Sequence, residues 1–264
     1  MGILATLTVV VLKCYRKDYG GFAPFFVNAG PQALLVVREP SQIRRVLAAA
    51  DTPKPMRVHT DALDKLFGLP QLALVPYTVK NVSQMDKAAL ENAYINLPKK
   101  YLTGTLLSTS IDTYVSILSK NMNNKMFQAG SWTQIEDIWS FFQQVITRCT
   151  LESLFGSDLF KQYPSVVRDY WEFADAAEGF IPGLPRYWVP SAASQARDRL
   201  LRGIEKWLKA NHSGSDFART AEEDPAWDGF KGSEFLQERD IAVASLQGMD
   251  VTARAAEMLS IMHE

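Results

Sequence analysis

Residues 133–155, TQIEDIWSFFQQVITRCTLESLF, decide the fold class. Ile135, Ile138, Trp139, Phe142, Val145, Ile146 and Cys149 recur at three- and four-residue steps, the period of one helix face. Gly156 follows as a helix stop. The same period dominates on both sides. Upstream, residues 60–67 read as a short helix closed by Gly68, and residues 97–127 as a long one with Leu102, Leu106, Ile111, Val115 and Leu118 inward. Downstream, helices are predicted over 164–177 and 191–210. In the second, Leu200, Leu201, Ile204, Trp207 and Leu208 face one way, and Arg197, Arg199, Arg202, Glu205, Lys206 and Lys209 form a solvated face. A last helix carries Val251, Ala255, Met258, Leu259 and Met262, with Asp250 as its N-cap.

One β signal stands against this background. Residues 22–28 (FAPFFVN) and 32–37 (QALLVV) flank Ala29-Gly30-Pro31, a turn-forming break, and predict a hairpin. Glu39-Pro40-Ser41 then opens a helix with Ile43, Val46 and Leu47 as its stripe, Pro40 suiting a first turn. The predicted fold class is mainly α with a small N-terminal β hairpin. No internal repeat or domain boundary is visible.

Composition narrows the function classes. The formal charge is −1 over 264 residues, which argues against a nucleic-acid binder driven by phosphate neutralisation. Two cysteines, Cys14 and Cys149, are too few for a disulfide framework. His59, His212 and His263 are scattered and show no zinc-type spacing. The first twelve residues, MGILATLTVVVL, are apolar and precede Lys13, Arg16 and Lys17. A spanning helix needs ~20 apolar residues, so residues 1–13 read either as a buried segment or as a remnant membrane anchor with its basic flank on the cytosolic side.

The sequence contains no GxxxxGK[ST], GxGxxG or GxSxG pattern. Glu222 and Glu223 lie in the polar stretch 211–232, read as an exposed loop. Cys149 sits on an apolar stripe and reads as a buried structural thiol. Gly248, Asp250 and Thr252 place an acid near a hydroxyl, but helix initiation explains them. His212 and His59 stand in polar contexts, and His263 reads as exposed. Lys99 and Lys100 beside Tyr101 are placed to meet an anionic group, although a solvated lysine pair is the default. Residues 179–190, GFIPGLPRYWVP, form an apolar loop, which requires burial, a ligand or a membrane.

The order of segments carries a resemblance. KDYGGFAPFFVNAGPQALLVVREPSQIRRVL, KKYLTGTLLSTSIDTYVSIL and DIWSFFQQVITRCTLESLFGSDL resemble the N-terminal half of a cytochrome P450. The branch they look most like holds sterol hydroxylases, prostacyclin synthase-like enzymes and fungal secondary-metabolite oxygenases. The tail GMDVTARAAEMLSIMH looks like the approach to that family's long central helix, so residues 14–264 are expected to form an incomplete fold of this type. The resemblance implies a haem-thiolate monooxygenase acting on a lipophilic small molecule with an electron-donor reductase. It also implies possible membrane contact at the cytosolic face of the endoplasmic reticulum; otherwise the chain reads as cytoplasmic. Lys100 would approach a haem propionate. Phe180, Ile181, Leu184, Tyr187 and Trp188 would match the region that shapes substrate access.

Departures from the family pattern are as informative. The sequence holds no ExxR, no WxxxR and no FxxGxRxCxG loop, and neither Cys14 nor Cys149 has the surroundings of the haem ligand. The expectation is a truncated relative, inactive by itself and unable to hold haem stably. Two alternatives stand beside it: a non-catalytic helical interaction protein, and an active monooxygenase whose gene is longer than this reading. A truncated chain is expected to leave apolar faces of the hairpin and the last helix uncovered.

Overall fold

The computed structural model describes residues 23–29, 32–48, 57–78, 82–122, 137–177, 180, 191–213 and 226–263. Strands β1 (Phe25–Ala29) and β2 (Gln32–Val36) pair antiparallel, with Phe25 opposite Val36 and Ala29 opposite Gln32. Helix α1 (Pro40–Ala48) begins at the proline. Helix α2 (Arg57–Asp61) runs into a wide π-type turn (Ala62–Leu66), and Gly68, at φ +79°, ends the run. After the short α3 (Val75–Thr78), the Ser83 hydroxyl caps α4 (Gln84–Glu91) by accepting the Asp86 N–H at 3.0 Å.

A second π-type turn (Asn92–Asn96) joins α4 to α5 (Leu97–Tyr101). Its cause is readable in the chemistry. Pro98 has no N–H to give, and its ring would meet the carbonyl four residues back in a regular helix. Widening the preceding turn, with the Leu97 N–H reaching the Asn92 carbonyl, keeps the axis continuous. Helix α6 (Gly104–Met122) follows.

Asp137 caps α7 (Ile138–Phe141) by accepting the N–H groups of Trp139 and Ser140. A third π-type turn (Phe142–Ile146) leads into α8 (Thr147–Phe155), which Gly156 terminates at φ +80°. Then come α9 (Asp158–Gln162), α10 (Val166–Ala177) and α11 (Ser191–Asn211). A two-residue ladder of β3 (Trp227–Asp228) and β4 (Gly232–Ser233) precedes α12 (Glu234–Ala244) and α13 (Val251–His263). The Ala253 N–H donates to the Asp250 carboxylate at 2.8 Å, so Asp250 caps α13 as its sequence position implies.

The chain is mainly helical with a small antiparallel hairpin near its start. Helices α10 and α11 form the principal pair, and α13 lies along α11. Leu63 and Phe67 before Gly68, Phe155 of α8, Phe173 of α10, Ile204 and Trp207 of α11, and Met258 and Leu259 of α13 meet in one apolar core. A smaller cluster joins Ala93, Leu97 and Tyr101 to Ala242 and Val243 of α12.

Several expectations change. Leu102, Ile111 and Val115 are half exposed rather than inward. The chain breaks between α5 and α6, where Gly104 takes φ +61°, and within α6 it is Ile117 that is buried. The stripe of residues 133–155 also divides: Ile138, Trp139 and Phe142 are exposed, whereas Cys149, Leu151 and Phe155 are buried. The intervening π-type turn rotates one half against the other. Residues 123–127 and 133–136 of the predicted helices lie outside the described residues, as do residues 1–13.

Helix α12 has no predicted counterpart, because its buried side chains (Leu236, Arg239, Asp240, Val243) leave no apolar stripe. The ladder β3–β4 falls in the stretch read as an exposed loop. Most of α13 is covered, with Ala253, Ala256, Met258 and Leu259 fully buried against this chain's own core, so its apolar face is not left open. His263 lies between the rings of Phe67 and Phe173, at 5.7 and 5.5 Å, rather than projecting outward.

A buried carboxylate helps fasten α10 to α11. Asp169 accepts hydrogen bonds from Tyr163, Ser165, Arg168 and Arg199. Burial raises its pKa, but these donors and the Arg199 charge outweigh burial and bring it below the usual carboxylate range. The Tyr163 ring in turn lies against Gly203, where an added Cβ would sit 2.1 Å from a ring carbon.

Two outcomes follow from this joint. Gly203→Ala would gain about 1 kcal/mol in an open helix; here it is expected to lower the melting temperature, as read by circular dichroism. The Asp169 contribution is present above the unfolded-state pKa of ~3.9 and fades as pH falls through the lower folded value. In urea titrations the wild-type advantage over Asp169→Asn is therefore expected to be full at pH 6 and to shrink at the acid end.

Candidate functional site

Two buried polar clusters meet on α12 and α13. In the first, the Asp240 carboxylate of α12, fully buried, accepts the Arg254 Nε–H at 2.9 Å and a second Arg254 N–H at 2.5 Å. It also meets His212 Nδ1 at 2.8 Å, while His212 Nε2 faces the Lys231 carbonyl at 2.9 Å. Both ring nitrogens of the imidazole thus face oxygen atoms of the chain. Arg254 reaches back to the His212 carbonyl at 3.1 Å. The cluster ties the end of α11, the β3–β4 turn, α12 and α13 together.

The second cluster centres on Glu257 of α13, also fully buried. Its carboxylate accepts the hydroxyls of Tyr77 at 2.6 Å and Tyr94 at 2.7 Å. Arg239 stacks over the Tyr94 ring at 4.5 Å, donates to the Ala93 carbonyl at 3.3 Å, and stands 3.7 Å from Glu257. Burial and then the Glu257 charge hold both phenols well above their ordinary pKa.

Chemically, neither arrangement has the features of a reaction centre. The His212–Asp240 pair resembles an acid–base dyad, but its second nitrogen is turned to a carbonyl and its side chains are shut from solvent. Glu257 is saturated by its phenols and guanidinium. Both clusters read as internal struts. Sequence alone gives His212 only a polar context; its neighbours become visible only with the fold. A signal for Glu257 did exist: it is the one charged residue in 255–262, AAEMLSIM, within an otherwise apolar run.

The residues singled out from sequence fall in separate places. Lys100 pairs with Glu238 at 2.8 Å and lies over the Tyr101 ring, so the anion it meets is within the chain. Phe180 packs against the main core, its N–H donating to the Ala177 carbonyl at 2.8 Å. Ile181, Leu184, Tyr187 and Trp188 lie outside the described residues, as do Cys14, Glu222 and Glu223. Asp250 is occupied as a cap. Cys149 is buried, and burial pushes its thiol pKa up, away from the thiolate. Among the described residues no three His, Cys, Asp or Glu side chains gather as a metal site, and no helix is long and apolar enough to cross a membrane.

Haem can be tested against these residues. Cofactor sites usually enclose about 300–1,000 Å3, whereas the cleft beside Tyr101 and Trp227 measures about 90 Å3. The described thiol is buried in the core with its pKa pushed up, and Lys100 is engaged. The described residues do not by themselves fit the group.

If the Asp240 cluster is a strut, its loss is a stability defect. Asp240→Asn leaves a buried guanidinium poorly paired and is expected to cost about 3 kcal/mol in urea unfolding. The exposed change Asp175→Asn is expected to stay within about 0.5 kcal/mol of wild type.

Comparison with known proteins supplies what the geometry lacks. Cytochrome P450 monooxygenase fsoE of Humicola fuscoatra is 29% identical over 133 residues, 50% of this chain and 22% of that protein. Cytochrome P450 monooxygenase efuG of Hormonema carpetanum is 22% identical over 248 residues, 93% of this chain and 43% of the relative. The chain thus spans less than half the length of either relative. No family model matches, and no solved structure matches at a significant level. The kinship supported by these two fungal relatives is to the cytochrome P450 family as a whole.

Proposed function

We propose that residues 14–264 form the amino-terminal part of the scaffold of a haem-thiolate monooxygenase that oxidises a lipophilic small molecule. In this reading the 264 residues do not perform the reaction alone. The observation that carries it is the match to a fungal monooxygenase along 93% of the chain, combined with a mainly helical fold. The sterol hydroxylase-like branch and a secondary-metabolite substrate are the finer form of the proposal, supported by the segment order quoted above.

Within the proposal, haem supplies oxygen activation when bound, and its thiolate comes from outside these residues. What this chain contributes is shape. Phe180 rests on the core at the start of the apolar loop, and by resemblance it belongs with Ile181, Leu184, Tyr187 and Trp188 to the region that shapes access of a lipophilic substrate. The apolar character of that loop supports the assignment. Lys100 would serve a propionate only by leaving Glu238. An electron-donor reductase belongs to the whole enzyme, and residues 1–13 would hold it at the endoplasmic reticulum membrane.

A second reading, a non-catalytic helical interaction protein, draws on a different observation. The Asp240 and Glu257 carboxylates of α12 and α13 both find their donors within this chain itself.

Haem titration tests the first reading. The purified 264-residue chain is expected to give no thiolate-type Soret band, whereas a transcript-derived product that continues into ExxR and FxxGxRxCxG is expected to give one. A thiolate-type band from the 264 residues, abolished by Cys149→Ser, would overturn the reading.

A further inference from the structure

Helix α6 (Gly104–Met122) has 19 residues and only two charged side chains, Asp112 and Lys120. One side of it rests on α8, and Ile117 is buried. The other side is open. Ile111 and Val115 are each 50% exposed, and Asp112, Ser116, Ser119 and Lys120 are exposed with them. The hydroxyls of Ser108 and Thr109 on this side donate to the Gly104 and Thr105 carbonyls, at 3.4 and 3.1 Å. Covering those two hydroxyls therefore strands no donor.

The two charges indicate what fits there. Asp112, Ser116 and Lys120 follow at four-residue steps, as neighbours along a helix surface do. Asp112 and Lys120 are of opposite sign, each about 6 Å along the axis from Ser116. Among the described residues neither belongs to an ion pair. Turning the helix end for end about Ser116 exchanges the two charges, so the face is complementary to its own copy. A partner of one sign would be attracted at one end and repelled at the other. The interior of a bilayer would take both charges out of water.

We propose that α6 pairs two copies of this chain, antiparallel, across a two-fold axis beside Ser116. An isologous contact of this kind sets Asp112 of each copy within reach of the long Lys120 side chain of the other. Val115 and its counterpart meet next to the axis. Ser116 is small enough to let the helices approach closely. A helix of about 28 Å covers less than the ~800 Å2 per partner of a standard interface, so the pair is weak and depends on concentration.

Sedimentation equilibrium of the whole chain over a concentration series tests this, and reversible dimers are expected. Asp112→Lys and Lys120→Asp are each expected to weaken the dimer about tenfold or more, because each sets like charges together at both contacts. The two variants mixed, and the double variant D112K/K120D, are expected to restore it. In a Cys14→Ser background, oxidation is expected to link Ser116→Cys into a covalent dimer. Thr105→Cys, about 33 Å from its mate across the axis, is expected to stay unlinked. Strict monomers, dimers of unchanged strength in both single variants, a double variant no stronger than the singles, or equal linking through Thr105→Cys would overturn the proposal. So would monomers that bind phosphatidylcholine vesicles through this face, a binding lost in Val115→Asp. Should a charge variant fail to fold, as read by circular dichroism, the two cysteine variants decide it.

Discussion

One carboxylate, that of Asp240, holds the carboxy-terminal third of the described fold in place. Four stretches that do not adjoin in sequence converge on it or on its partners: the end of α11, the β3–β4 turn, α12 and α13. An ion buried this deeply is tolerated because a guanidinium bonds both of its oxygens, and that guanidinium keeps one edge near solvent. Remove the convergence and α12, which has no apolar stripe of its own, has little left to orient it. Its weak amphipathicity and its rich polar contacts are two sides of one design.

Glu257 plays the matching part three residues beyond Arg254. Being one turn apart on α13, the two side chains share a helix face band and reach opposite neighbours: Arg254 toward α11 and α12, Glu257 toward Tyr77 and Tyr94. The apolar residues between and around them seal both clusters from water. Dry surroundings strengthen each hydrogen bond and make each loss expensive, so these struts fix the rotation of α13 more narrowly than hydrophobic packing does.

What was legible in the sequence follows from which forces act locally. The hairpin around Ala29-Gly30-Pro31, the proline start of α1, the Gly68 and Gly156 stops and the Asp250 cap depend on backbone preferences of a few residues, and all were readable. The α11 stripe was readable because nothing interrupts its period. The face of residues 133–155 is not legible through Phe142 to Ile146, since a stripe traced straight through a wider turn comes out rotated by roughly a residue's worth of angle. His212, Asp240 and Arg254 were invisible because only tertiary contact brings them together. The cleft beside Tyr101 was equally hidden: its walls come from residues more than a hundred positions apart.

The widened turn ahead of Pro98 has a wider meaning for how this chain relates to its kin. Holding one surplus residue inside a continuous helix, it acts as a phase adjuster between α4 and α5. Deleting a single residue there would restore ordinary winding, but would swing Tyr101 by ~100° away from α12 and press the Pro98 ring against a carbonyl. A relative without that surplus residue would have to present a different face of α5 to its α12.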